Sequence, residues 1–103
     1  MTAAERKILS PFNPREAIPL RIAAKRAGKE YDAMRRAAIE HGLGRRERGS
    51  VWQVSQIALA MWADGNWQAL AAYHRGIRGG PLVAPYFQRL GLADLIDRGP
   101  IVP

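Results

Sequence analysis

Apolar residues recur at helical spacing along most of this 103-residue chain, and glycine and proline mark where the spacing breaks. Leu20, Ala23, Ala24 and Ala27 fall on one face of a helix predicted over 20–27, with Gly28 as its turn residue. Met34, Ala37, Ala38 and His41 form the matching face of a second helix over about 30–41. Between 43 and 54 the period changes to alternation around Gly49-Ser50, which suits a two-residue hairpin loop with glycine first. In that register Arg48 faces Val51, Glu47 faces Trp52, Arg46 faces Gln53 and Arg45 faces Val54, so that Trp52 and Val54 point inward. Ser55 caps a third helix to about residue 63. Asn66 caps a fourth, to about residue 75, whose stripe is Trp67, Leu70, Ala71 and His74. A last helical segment follows Gly79-Gly80-Pro81, with Leu82, Val83, Tyr86, Phe87 and Leu90 on one side and Gly91 as its stop. Ahead of these elements, Asn13-Pro14-Arg15-Glu16 reads as a capped helix start that Pro19 ends.

The fold class this predicts is mainly α with a small β-hairpin wing, a winged helix-turn-helix followed by C-terminal helices. Residues 1–17 form an N-terminal arm, 18–64 the DNA-binding domain, 65–98 a helical extension and 99–103 a tail. The third helix is apolar on both sides, with Ile57, Ala60 and Met61 on one and Leu59 and Trp62 on the other, so it needs cover on both. The fourth helix supplies that cover. For the segment 82–90 the glycine-proline break leaves two destinations open, the same core or a neighbouring protomer.

Charge narrows the partner. Sixteen lysines and arginines against nine acidic residues give +7, and residues 15–48 hold +5 of it. Such an excess on a helix-turn-helix pattern favours double-stranded DNA over a merely solvated basic face. The chain has no cysteine, which removes disulfides, thiolate zinc sites and thiol nucleophiles and suits a cytoplasmic location. No apolar run reaches the roughly 18 residues of a membrane span, and MTAAERKILS lacks the apolar stretch of a signal peptide. His41 and His74 stand apart on apolar stripes and read as packed residues, and Gly42-Leu43-Gly44 leads into a hairpin rather than cradling a phosphate. No catalytic residue, metal site or cofactor is expected.

The second helix is the expected reading helix, because its outward face centres between Asp32 and Arg36 and is flanked by Lys29, Arg35 and Ile39. Asp32, Arg35 and Arg36 are placed for the groove, Tyr31 for a phosphate and Lys29 beside them. Arginine donates two bonds to guanine, whereas an aspartate accepts from cytosine or orients an arginine. Arg45, Arg46, Arg48 and Gln53 are the wing contacts, of which Arg46, Arg48 and Gln53 are expected to point outward.

Ala23-Ala24, Gly28, Met34, Arg36 and then Gly49-x-x-Trp52-x-Val54-Ser55 resemble the excisionase and MerR-like winged helix-turn-helix family over about residues 18–62. Three positions depart from the family pattern: two residues rather than one separate Gly49 from Trp52, Lys29 replaces an apolar turn residue, and Glu30 replaces a Ser or Thr cap. The resemblance implies short DNA sites, often bound cooperatively, and a role in organising DNA for a site-specific recombinase. Self-association along DNA is expected through the C-terminal helices, if the segment 82–90 packs on a neighbouring protomer. A small transcriptional regulator and a phage terminase small-subunit-like module share that fold. A protein-interaction adaptor using the C-terminal helices is the alternative from another class.

Overall fold

The computed structural model describes residues 6–9, 12–46 and 52–96, and it is mainly helical with one small antiparallel sheet. A short strand β1 (Ala17–Pro19) leads into helices α1 (Leu20–Ala27) and α2 (Tyr31–His41). Strands β2 (Gly44–Arg46) and β3 (Trp52–Ser55) follow, then helices α3 (Gln56–Ala63), α4 (Trp67–His74) and α5 (Gly80–Arg89), and a 3-10 turn at Ala93–Leu95.

The helix ends follow from local chemistry. Gly28 adopts the left-handed conformation, φ 65°, and the next residue's N–H reaches back from Lys29 to the Ala24 carbonyl at 2.9 Å. Gly42 does the same for α2, with the Leu43 N–H donating to the Ala38 carbonyl at 3.0 Å. Ser55 and Asn66 accept from the backbone N–H of Ala58 and Ala69, each at 3.1 Å, as their positions before apolar runs predict. Glu30, by contrast, makes no side-chain cap bond to α2.

β3 is the central strand, with β1 on one side and β2 on the other. The segment read as a capped helix start is instead one turn running into β1, which pairs Ile18 with Val54 and Pro19 with Gln53. Asn13 does cap that turn, its Oδ1 accepting from the Arg15 N–H at 2.9 Å. Pairing to β3 is a long-range contact and outweighs the local helix signal.

The hairpin register differs by one residue from the expected one. Gly44 lies opposite Val54, Arg45 opposite Gln53 and Arg46 opposite Trp52. The register is set at the base of the hairpin rather than at its tip. A Cβ on Gly44 would lie 2.1 Å from the Gln53 carbonyl oxygen, so only glycine fits there, and the Ser55 N–H donates to the Leu43 carbonyl at 2.8 Å. A slip of one residue exchanges the two faces of a strand. Arg45 therefore shares the outer face with Gln53, and Arg46 shares the Trp52 and Val54 face, contrary to the expected outward pointing of Arg46.

One core serves the whole described chain. Leu20, Met34, Leu43, Val54, Ile57, Met61, Val83 and Phe87 are fully or almost fully buried together. Ile8 and Leu9, in the segment read as an arm, are buried in the same cluster, and the Lys7 N–H donates to the His74 carbonyl at 2.9 Å. The last helix also belongs to this core, since Val83, Tyr86 and Phe87 turn inward. Its far end is tied down by the Tyr86 hydroxyl, which accepts from Asn66 at 3.2 Å and donates to Asp64 at 2.9 Å. Two residues of the expected α4 stripe, Trp67 and Ala71, are exposed instead, while Ala69, Ala72 and Tyr73 join Leu70 and His74 inside. Polar anchors turn α4 this way: Tyr73 shares a 2.7 Å hydrogen bond with Ser55 and His74 one of 2.7 Å with the Gly42 carbonyl.

Candidate nucleic-acid interface

The outward face of α2 carries the residues its spacing predicts. Met34 and Ala38 are buried and Ala37 and His41 lie half-buried against the core. That leaves Tyr31, Asp32, Arg35, Arg36, Ile39 and Glu40 exposed across the other side. Successive residues turn by about 100°, so Tyr31, Arg35 and Ile39 form one row and Asp32 and Arg36 the next. Among the described residues, ion pairs join Arg15 to Asp94, Arg78 to Glu16 and Arg89 to Asp64, and neither Arg35 nor Arg36 takes part in them.

Lys29 stands apart from that face. It is exposed, yet its Nζ lies 5.6 Å from the centroid of the Trp62 ring. Trp62 in turn neighbours His41, whose ring stacks on Trp67 at 5.5 Å and 27°. The departure at Lys29 thus has a local partner in this chain, a cation–π contact. His41 is an aromatic spacer between two tryptophans.

The hairpin brings Arg45 and Gln53 together as a cross-strand pair on the outer face of the sheet, continued by Pro19 of β1. Arg46 is exposed at the other side, opposite Trp52. Arg48, together with the Gly49-Ser50 loop, lies outside the described residues.

Charge is distributed differently from what the residue count suggests. Lys29, Arg35 and Arg36 are balanced by Glu30, Asp32 and Glu40, so the α2 region is neutral as a whole. The excess sits on α1, as Arg21, Lys25 and Arg26, and on the hairpin arginines. Arg26 donates to Gln56 at 2.8 Å, whereas Arg21 and Lys25 are exposed on α1. The helix-turn-helix pattern assigns base and phosphate contacts to the second helix and the hairpin, so it gives no signal for these α1 cations.

Buried polar contacts tie β1, α4 and the end of α2 to one another. Glu16 is fully buried and accepts from Arg78 at 2.6 and 3.3 Å, while its backbone carbonyl accepts from the Gln56 N–H at 2.8 Å. Arg78 also lies 5.5 Å from the Phe87 ring. Tyr73 lies close by; burial, reinforced by the Glu16 charge, holds its hydroxyl proton far above the usual phenol range. Burial likewise lowers the pKa of His74, which faces Arg6 and gains only part of this back from its bond to Gly42. With Nε2 donating to that carbonyl, the neutral imidazole fastens α4 to the end of α2.

Among the described residues, no group of three or more His, Cys, Asp or Glu side chains is arranged to hold a metal ion. No described helix is long and apolar enough to cross a membrane. No family model, no curated protein and no solved structure matches the chain.

Proposed function

We propose that this protein binds double-stranded DNA in a sequence-specific manner, as a winged helix-turn-helix whose reading helix is α2 and whose wing is the β2–β3 hairpin. The observation that carries the reading is the outward face of α2, where Arg35 and Arg36 stand exposed and outside the ion pairs of the described residues, with Arg45 and Arg46 following on the hairpin. The order β1, α1, α2, β2, β3, with β1 closing the sheet on the far side of β3, supports the same reading. Neutrality of the α2 region divides the labour. Cations of α1 and the hairpin supply sequence-independent attraction to phosphates, and the mixed-sign α2 face discriminates between bases. The excisionase-like role, organising DNA for a site-specific recombinase, rests on the resemblance at Ala23-Ala24, Gly28 and Trp52-x-Val54-Ser55. An adaptor role finds less support, since Val83, Tyr86 and Phe87 are occupied in the chain's own core.

Binding to a labelled mixed-sequence duplex, followed by anisotropy as salt is raised, tests the proposal. Affinity should fall log-linearly with a slope of about −0.9 for each phosphate contacted. Absence of binding at low salt would remove the DNA reading.

A further inference from the structure

Ile39 lies in the middle of a charged face and is 51% exposed. It follows Arg35 by one helical turn, in the row that begins with Tyr31, itself 49% exposed. Among the described residues nothing buries this row, and a β-branched residue is a poorer choice than alanine or leucine for an exposed helical site. Packing and propensity therefore give no reason for isoleucine here. The major groove does. Its floor carries one apolar group, the C5 methyl of thymine, which apolar side chains contact directly.

Resting on the DNA reading above, we infer that Ile39 is a specificity residue that packs on a thymine methyl beside a guanine read by Arg35. Four residues of helix advance about 6 Å, and successive base pairs are about 3.4 Å apart. The thymine then lies one or two base pairs from the guanine. Asp32 and Arg36, in the neighbouring row, complete a face on which one apolar contact is framed by polar ones. The methyl tells thymine from cytosine in the groove, a distinction charged side chains make only through donors and acceptors.

The test uses the full chain and a duplex selected by it from a randomised pool. Each thymine of the selected duplex is replaced in turn by deoxyuridine, which keeps the base pair and removes only the methyl. At one thymine, within two base pairs of a guanine, the replacement should weaken binding about fourfold, as loss of one buried methyl does. Ile39→Ala should bind the thymine duplex with a similar deficit and show no further loss on the uracil duplex. Uracil replacements that are all neutral, an Ile39→Ala protein that still prefers thymine, or binding with no selected sequence would each overturn the inference. Failure to bind any duplex would instead remove the DNA reading on which it rests.

Discussion

His74 Nε2 donates to the carbonyl of Gly42 across 2.7 Å, joining the fourth helix to the residue that ends the second. The bond requires the Nε2 proton and a neutral ring suits the buried site, whose pKa is lowered by burial. Above the ordinary histidine range the ring is neutral in folded and unfolded chains alike, so His74 contributes no pH dependence there. Below about pH 6.5 the unfolded chain takes up a proton that the folded one resists. Stability should therefore fall as pH drops through that range and level off once the folded ring also titrates. Urea melts at stepped pH should show this slope in the native protein and a flatter one in His74→Gln, in which the amide keeps a donor for Gly42.

Glu16 and Arg78 make a second long-range tie. Removing only the cation strands a fully buried carboxylate, and Arg78→Ala should lose about 3 kcal/mol or more. Converting both partners to methionine should cost far less, because no charge is left without a partner. Denaturant midpoints of Arg78→Ala and of the double methionine variant measure the difference.

Gly44 lies too close to β3 for any side chain. Gly44→Ala should destabilise the fold by about 1–3 kcal/mol through forced separation of the strands. It should also weaken DNA binding more than an exposed substitution such as Gln68→Ala does. Thermal melts and anisotropy on the same samples provide the check.

Reading and clamping should separate by mutation. Arg35→Ala or Arg36→Ala should cost about 1–3 kcal/mol on the preferred site and relax the choice at one base pair. Arg45→Ala should weaken preferred and random duplexes alike and make the salt slope shallower by about one. Loss of sequence preference in the hairpin variant alone would move the reading role from α2 to the wing.

Elements governed by neighbours in sequence were legible from the sequence. Gly28 stops α1, Ser55 and Asn66 cap α3 and α4, and the Met34, Ala38 stripe orients α2 with Arg35 and Arg36 outward. What escaped depends on partners far along the chain. Glu16 resembles a helix-capping residue until Arg78, 62 positions away, is placed against it. Ala17–Pro19 is too short to read as a strand without β3 beside it. The hairpin register was read from its loop, whereas the contact of Gly44 with β3 sets it from the base. Trp67 looked like core by its spacing, but α4 turns to bury the Tyr73 hydroxyl near Glu16 instead.

Backbone amide shifts recorded while a duplex is titrated into the labelled protein test the central claim most directly. The account predicts perturbation along Tyr31, Asp32, Arg35, Arg36 and Ile39 and at Arg45 and Gln53, with α4 and α5 unmoved. Perturbation centred on Trp62, Trp67 and His41, with the α2 row silent, would contradict it.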